Sequence, residues 1–147
     1  MKQIQVKVIC KDGVQLPEYV TPMSSGVDVR CLEDVELLVG ERMLIHTGLY
    51  FQLPEGIEVQ VRSRSGLALK KGVIVLNAPG TIDADYRGEC NVILMNLGEE
   101  DVEFKAGERI AQFVFCENVV HANFEKVDNF DNETERGAGG FGHTGTK

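Results

Sequence analysis

The chain has 147 residues, a formal net charge of −8 and 43% hydrophobic residues. This length favours one domain with a sizeable core, and the negative charge argues against a nucleic-acid partner, which would need a basic face. No apolar run approaches the roughly 20 residues of a membrane span, so we expect no membrane partner and a cytoplasmic or similarly reducing compartment. The four cysteines fall singly in or beside apolar stretches, which is typical of small buried residues rather than of a zinc site or disulfide frame.

The first 120 residues predict a series of short strands. Ile4, Val6, Val8 and Cys10 alternate with other residues, which is typical of a partly solvated strand. Further strand candidates are residues 27–31, 43–53, 57–63, 73–76, 89–97, 102–104 and 110–116. Residues 66–71 could make one very short helix, which Gly72 would end. The sequence therefore predicts an all-β, jelly-roll-like β-sandwich or barrel over residues 1–120.

The pattern changes after residue 120. Residues 121–135 carry five acidic residues with little periodicity and predict an extended acidic linker. About 15 residues at ~3.3 Å each would span on the order of 50 Å, enough to reach a distant partner or another subunit. Residues 136–147 form a glycine-rich arm, R-G-A-G-G-F-G-H-T-G-T-K. The arm differs from the Walker A pattern in carrying His143 in place of lysine, and we expect neither the strand nor the helix that support a Walker loop.

Two early stretches carry polar residues that strands and turns do not require. S-S-G-V-D-V places Asp28 at a strand start, where a solvated turn acid is the plain alternative. R-S-R-S-G-L-A combines arginines, hydroxyls and N–H groups at a helix start, which are the donors of an anion site. A capping serine beside solvated arginines explains the second stretch equally well.

Two later stretches also carry polar residues that could form a site. N-A-P-G-T-I-D-A-D-Y-R-G-E packs two carboxylates and a tyrosine between expected hairpin strands. It is either an acidic β-turn or a site in which the tyrosine stacks on a sugar and a carboxylate activates a water. G-E-R-I-A-Q is explained by a turn and a strand, with Arg109 paired to an acid elsewhere in the fold. Each signal is weak alone, but the order and spacing of the four are specific.

Together with R-G-A-G-G-F-G-H-T-G, these stretches strongly resemble the five motifs of the trimeric all-β dUTPases, over residues 26–145. The resemblance implies a jelly-roll homotrimer with three active sites at subunit interfaces. One subunit would give the first, second and fourth motifs, a second the third motif, and another the glycine-rich arm. The implied activity is hydrolysis of dUTP to dUMP and pyrophosphate with Mg²⁺ carried mainly by the triphosphate. That activity keeps uracil out of DNA and supplies dUMP for dTMP synthesis.

Carried over by position, the resemblance implies a role for each motif residue. Asp83 resembles the general base that activates a water for in-line attack on the α-phosphorus. Asp28 resembles an acid that organises metal-bound waters without ligating the metal directly, and Arg109 is expected to be structural. The phosphate-binding candidates are Arg64, Ser65, Gly66, Gln112, Arg136, Gly142 and Thr144. The candidates for binding uracil and deoxyribose are Asn77, Gly80, Thr81, Ile82, Asp83, Tyr86, Asn91 and Phe141.

One position departs from the family pattern, and two rival functions stay open. The fifth motif usually has serine where this chain has His143, which either adds a contact or faces solvent. A dCTP deaminase is similar in fold and in its I-D-x-x-[FY]-x-G stretch, but lacks the glycine-rich tail and uses a glutamate that has no match here. A catalytically silent nucleotide sensor on the same scaffold is the other alternative.

Overall fold

The computed structural model describes residues 3–117 and 120–140. Within these ranges the chain forms eleven strands and one helix. In chain order they are β1 (Lys7–Cys10), β2 (Val27–Arg30), β3 (Val35–Leu37), β4 (Arg42–Ile45), β5 (Leu49–Gln52), β6 (Ile57–Arg62), α1 (Ser65–Lys71), β7 (Val73–Val75), β8 (Gly80–Ile82), β9 (Val92–Asn96), β10 (Val102–Phe104) and β11 (Arg109–Glu117). The predicted all-β fold class with one very short helix is confirmed. Across the described ranges, no helix has the length and apolar character needed to cross a membrane.

The strands pair into antiparallel sheets. β2, β11, β6 and β8 make a four-stranded sheet in that order, and β4, β9 and β7 make a three-stranded one. β1 pairs with β5, and β10 pairs with β3. β6 and β9 alternate buried with half-buried residues, as a strand with one core face requires. β11 pairs with β2 over its first half and with β6 over its second half, so it joins the strands that carry three of the motifs.

The core is built from the inward-facing side chains of these sheets. Phe113 of β11 is fully buried, and its ring meets that of Phe51 on β5 edge to face, with 5.7 Å between ring centroids. Leu37 of β3 and Leu94 of β9 are also fully buried. Since these residues belong to four different sheets, one continuous core holds all the sheets together.

The cysteines fall into two environments. Cys31 and Cys90 are buried, and Cys10 and Cys116 are half-buried; all four are free thiols. Burial raises the pKa of the Cys90 thiol to about 11, which keeps it protonated and unreactive. The expectation of small buried residues is confirmed for Cys31 and Cys90.

The prediction of one strand over residues 43–53 is wrong. This segment forms β4 and β5, which belong to different sheets, with a corner of His46, Thr47 and Gly48 between them. Gly48 has a φ of +71°, a left-handed conformation that interrupts a strand. A β-carbon at Gly48 would lie 2.8 Å from Cγ2 of Val14, so the corner accepts glycine alone. The apolar residues on both sides hide this break from a periodicity argument.

The pairing of the strands expected on either side of the third motif is confirmed. β7 and β9, which lie within the strands expected over residues 73–76 and 89–97, pair antiparallel with each other. Between them in sequence lies β8, which pairs instead with β6 in a different sheet. Residues 83–91 form the loop between β8 and β9, and the strand expected over residues 89–97 begins at Val92. The predicted elements did not include β3 or β8.

The helix α1 lies where the sequence predicts it, beginning one residue earlier. Gly72 caps its end with a φ of 67°, and the Gly72 N–H donates to the Ala68 carbonyl oxygen at 3.2 Å, so the predicted stop is confirmed. A β-carbon at Gly72 would overlap the backbone of Gly98. One at Gly98 would overlap the carbonyl oxygen of Lys71. The C-terminal end of α1 is therefore in close contact with the loop that follows β9.

Residues 120–140 carry no strand or helix. Their apolar side chains point into solvent, with Phe124 96% and Phe130 90% exposed and Val120 and Val127 also exposed. The division into a β domain of residues 1–120, a linker of residues 121–135 and an arm of residues 136–147 stays a prediction.

Candidate active site

Asp28 on β2 lies between two arginines. Its Oδ1 accepts a hydrogen bond from Nε of Arg64 at 2.9 Å, and its Oδ2 accepts one from a terminal nitrogen of Arg109 at 3.0 Å. Arg64 also donates to the carbonyl oxygen of Arg109 at 3.2 Å. The Asp28 side chain is 21% exposed, so the pairs are partly shielded from water. The first, second and fourth motifs therefore meet within one chain, and the expected pairing of Arg109 with an acid is confirmed.

A β-bulge in β11 makes this meeting possible. Arg109 lies opposite Arg30 and Gln112 lies opposite Asp28, with a register shift between Arg109 and Ala111. Residues three apart on a regular strand point to opposite faces, but the extra residue of a bulge restores the same face. Arg109 is exposed and Gln112 half-buried, both directed away from the core. Nothing in the one-letter pattern of G-E-R-I-A-Q marks this bulge.

Gln112 is held by its neighbours on two sides. Its Nε2 donates to the carbonyl oxygen of Ser63 at 3.0 Å, and the hydroxyl of Ser63 accepts the N–H of Val75 at 2.9 Å. A β-carbon at Gly26 would lie 2.8 Å from Oε1 of Gln112. The glycine of the first motif therefore leaves the space that the glutamine of the fourth motif occupies.

The start of α1 offers hydrogen-bond donors next to this cluster. Ser65 and Gly66 are the first two helical residues, and the first N–H groups of a helix have no partner inside it. Both residues are exposed, and a β-carbon at Gly66 would meet no atom within 4 Å. The first turn carries no acidic residue. Together with Arg64, this arrangement suits an anion.

The third motif begins where Asn77 lies against strand β8. A β-carbon at Gly80 would be 3.1 Å from Nδ2 of Asn77 and 3.2 Å from Cβ of Val61. Thr81 points outward, whereas Ile82 is buried in the core. The backbone of β8 is therefore fixed between β6 and the Asn77 side chain.

Asp83 follows β8 and is exposed. Among the described residues, no group donates a hydrogen bond to its carboxylate. Its carbonyl oxygen accepts the N–H of Tyr86 at 3.2 Å, which closes a turn and fixes the backbone on both sides of Asp85. A carboxylate without a protein partner on a fixed turn can accept a hydrogen bond, and then a proton, from a water.

Tyr86 is held at one edge and open at the other. Its hydroxyl donates to the carbonyl oxygen of Glu89 at 3.2 Å, and its ring covers Gly88 so closely that a β-carbon there would overlap it. The residue is 46% exposed. The open part of the ring gives a flat apolar surface against which a sugar can pack.

Asn91 is the last residue of the same loop. Its Oδ1 is buried and accepts no hydrogen bond from any residue in the described ranges. A buried acceptor without a partner is costly, so this oxygen is a candidate contact for a bound ligand.

The two groups of candidates are well separated within one chain. Ile82 lies opposite Val59 on β6, so Asp83 lies one residue beyond Val59 along the sheet. Arg62 lies three residues from Val59 in the other direction, which makes the offset four residues. At about 3.3 Å per residue, the positions of Asp83 and Arg62 differ by on the order of 13 Å along the sheet. Arg64 lies two residues beyond Arg62. Within a single chain, the third motif and the cluster around Asp28 therefore lie at different positions along the sheet.

A cavity beside β2 does not unite the candidates either. It has a volume of about 730 Å³ and is lined by residues 12–20 together with Asp28, Arg30 and Arg109. The phosphate-binding candidates at the start of α1 and Gln112 are not among its lining residues. We therefore do not assign this cavity to a nucleotide.

Arg136 is the one arm candidate within the described residues. Nε of Arg136 donates to the carbonyl oxygen of Gly139 at 2.9 Å, a contact within the arm itself. Phe141, Gly142, His143 and Thr144 lie outside the described residues.

The sequence does not predict the contacts that the Glu89 carboxylate makes. Its side chain is 11% exposed, and its carboxylate accepts hydrogen bonds from the Gly48 N–H at 2.8 Å, His46 Nδ1 at 3.0 Å and Lys11 Nζ at 3.3 Å. Burial acts to raise the pKa of Glu89, but these hydrogen bonds outweigh it and hold the pKa below its ordinary value. The partners are 41 to 78 residues away in sequence, so no local pattern could have found them.

The chain is similar to known proteins over nearly its whole length. The dUTPase family model matches residues 12–145. The deoxyuridine 5′-triphosphate nucleotidohydrolase of Fusobacterium nucleatum subsp. nucleatum is 51% identical over 147 residues, covering 99% of this chain and 99% of the relative. The Staphylococcus bacteriophage 80alpha dUTPase with dUPNHPP has a TM-score of 0.88 and 25% identity, covering 97% of this chain and 99% of that one. A mutant phage phi11 dUTPase, described for its coordination of a structural Mg(II) ion, has a TM-score of 0.78, 21% identity and coverages of 88% and 100%. The chain therefore belongs to the dUTPase family.

Proposed function

We propose that the protein is a dUTP diphosphatase that hydrolyses dUTP to dUMP and pyrophosphate. The observation that carries this proposal is the turn of Asp83 and Tyr86, which presents an unpaired carboxylate beside a half-exposed ring. The family membership and a relative with the same activity in its name support the choice of substrate. In the cell, such a reaction keeps uracil out of DNA and supplies dUMP for dTMP synthesis, and we place it in the cytoplasm.

In the proposed reaction, Asp83 orients a water and accepts its proton as the water oxygen attacks the α-phosphorus. The bond to the bridging oxygen breaks, and pyrophosphate leaves. Positioning and charge neutralisation carry most of such a displacement. Arg64, the Ser65 hydroxyl and the N–H of Gly66 would contact the phosphates, with Gln112 as a further donor. The Asp28 carboxylate would keep Arg64 in its orientation.

Recognition of the base would fall to the third motif. Asn77 and the backbone of residues 80–83 would bind the uracil edge, and Asn91 Oδ1 would accept a hydrogen bond there. Cytosine would leave these groups unpaired once the bound base shields them from water, so discrimination between the two bases should be steep. The ring of Tyr86 would pack under the deoxyribose and leave no room for a 2′-hydroxyl group.

The residues present fit a magnesium ion carried by the substrate. In the described ranges, no group of three or more histidine, cysteine, aspartate or glutamate side chains forms a metal site. Both oxygens of Asp28 accept arginine hydrogen bonds, yet each retains a second lone pair that can accept from a metal-bound water. Mg²⁺ keeps several waters and binds substrate phosphates, where it would neutralise developing charge. Asp28 would therefore assist through water and not as a direct ligand.

We also propose that the complete site forms between subunits of a homotrimer. Within one chain, the position of Asp83 is on the order of 13 Å along the sheet from that of Arg62, which lies just before the phosphate-binding candidates Arg64, Ser65 and Gly66. Placing the third motif of one subunit beside the Asp28 cluster of another removes this separation. The exposed apolar side chains of residues 120–130 would then pack on a neighbouring subunit. The arm would bring Arg136, Phe141, Gly142 and Thr144 to a site on another subunit.

One assay tests the proposed activity. The protein is supplied with dUTP, dTTP, dCTP and UTP in the presence of Mg²⁺, and release of pyrophosphate and of ammonia is followed. Pyrophosphate from dUTP alone supports the proposal. Ammonia from dCTP would point to a deaminase, and nucleotide binding without turnover would point to a sensor.

A further inference from the structure

We propose that Glu89 is a positioning residue for the reaction. Its carboxylate holds the loop of residues 83–91, which carries Asp83 and Tyr86, on the corner between β4 and β5. The inference rests on the proposed dUTP hydrolysis, because it concerns how that site keeps its geometry.

The contacts of the carboxylate all reach from the loop to the framework. Oε1 accepts the Gly48 N–H at 2.8 Å, and Oε2 lies 3.0 Å from Nδ1 of His46 and 3.3 Å from Nζ of Lys11. The Glu89 side chain is only 11% exposed, although the His46 and Lys11 side chains that donate to it are 43% and 44% exposed. A carboxylate accepts on both oxygens and has no proton to place, which matches three converging donors.

The same residue is connected to the reacting groups through its backbone. The carbonyl oxygen of Glu89 accepts the Tyr86 hydroxyl at 3.2 Å, and the Tyr86 N–H donates to the carbonyl oxygen of Asp83 at 3.2 Å. A continuous series of hydrogen bonds therefore runs from Gly48 through Glu89 and Tyr86 to Asp83. A shift of Glu89 would therefore displace Tyr86, the proposed contact to the sugar, and Asp83, the proposed general base.

The corner that receives Glu89 is itself fixed. The buried hydroxyl of Thr47 donates to the carbonyl oxygen of Cys90 at 2.8 Å, and the Cys90 N–H donates to the Leu49 carbonyl oxygen at 2.8 Å. These bonds do not involve the Glu89 side chain. A variant that loses the carboxylate should therefore keep the fold at residue 90 while the loop before it gains freedom.

The test compares E89Q with D34N. Glutamine keeps the size of Glu89 but cannot accept all three donors, and its amide nitrogen would face an N–H or a cation. Asp34 makes a similar clamp away from the third motif: its carboxylate accepts the Ala106 N–H at 2.8 Å and Lys105 Nζ at 3.1 Å. The measurements are kcat and KM for dUTP and UTP, the thermal unfolding midpoint, and hydrogen exchange of residues 83–88 without nucleotide.

We expect E89Q to lower kcat/KM for dUTP about 10-fold or more, because small displacements of reacting groups have large kinetic effects. The ratio of dUTP to UTP turnover should fall as Tyr86 gains freedom, and exchange of residues 83–88 should become faster. D34N should change kcat/KM for dUTP by less than about 2-fold, since its clamp is exposed to solvent.

Two outcomes would overturn the inference. One is that E89Q has the same kcat/KM for dUTP and the same ratio of dUTP to UTP turnover as the parent protein. The other is an equal loss on both substrates that D34N reproduces, which indicates general stability instead of positioning. If E89Q does not fold, H46A removes one half-exposed donor, and an unchanged dUTP to UTP ratio there counts against the inference. If the parent protein does not hydrolyse dUTP, the proposed function fails, while the exchange comparison still decides whether Glu89 holds the loop.

Discussion

Oδ1 of Asp28 and Nε of Arg64 are 2.9 Å apart, although 36 residues separate them in sequence. The arginine that would contact the phosphates is thus oriented by the acid of the first motif. We expect D28N to lower kcat/KM for dUTP by about 10-fold to 100-fold, mainly through KM, because charge-assisted hydrogen bonds to both arginines weaken. Steady-state kinetics measure this effect. D101N, which alters an exposed carboxylate that accepts the Val39 N–H, is the control and should keep parent kinetics.

D83N should abolish most dUTP turnover while nucleotide binding persists. The substitution removes the group that accepts the water proton, and such groups contribute about 10²-fold to 10⁴-fold to rate. Single-turnover kinetics and calorimetric titration with a non-hydrolysable dUTP analogue measure the two effects separately. Asp85 lies two residues away and is also exposed, so D85N is the matched control and should retain activity. Near-parent turnover in D83N would contradict the proposed mechanism.

Truncation before Arg136 should leave a folded trimer with much weaker turnover. Residues 136–140 make hydrogen bonds within the arm and to Thr134 just before it, so their removal should leave the β domain intact. The loss should come from the missing phosphate and uracil contacts of the arm. Light scattering reports the oligomeric state, and pyrophosphate release reports the rate. Parent activity in the truncated protein would show that the arm is dispensable.

The stabilising effect of Glu89 should depend on pH. Burial alone would raise the pKa of Glu89, but hydrogen bonds from Gly48, His46 and Lys11 hold it below the ordinary value of 4.5. A pKa that is lower in the folded state gives stability that is present above the unfolded value and lost as pH falls through the folded value. The difference in unfolding midpoint between the parent protein and E89Q should therefore be largest near neutral pH and shrink below pH 4.5. A constant difference into strongly acidic buffer would contradict this.

Local features of the fold could be predicted from the sequence, whereas long-range ones could not. The strand over residues 102–104 and the stop at Gly72 follow from alternation and from glycine chemistry, which act within a few residues. The corner at Gly48 was missed because apolar residues continue on both sides of it. The strands on either side of the third motif pair as expected, but β8 within the motif was missed, because its partner β6 lies about 20 residues earlier in the chain.

The same limit applies to the candidate site. Motif order suggested which residues belong together, and the structure brings Asp28, Arg64 and Arg109 into contact. The bulge that turns Arg109 toward Asp28 depends on how β11 pairs with β2, which the residues of β11 alone do not specify. The role of Glu89 depends on partners from three distant segments. The assignment of Asp83 and of the other site residues stays a prediction.

The contact between Gly72 and Gly98 limits how this protein can be redesigned. Replacing glycine with alanine is a common way to stabilise a chain, because it reduces the freedom of the unfolded state. At Gly72 the left-handed backbone and the nearby Gly98 both oppose a methyl group, and at Gly98 the Lys71 carbonyl oxygen does so. A stabilised variant should therefore keep glycine at both positions, since a change at either one would displace the helix that presents Ser65 and Gly66.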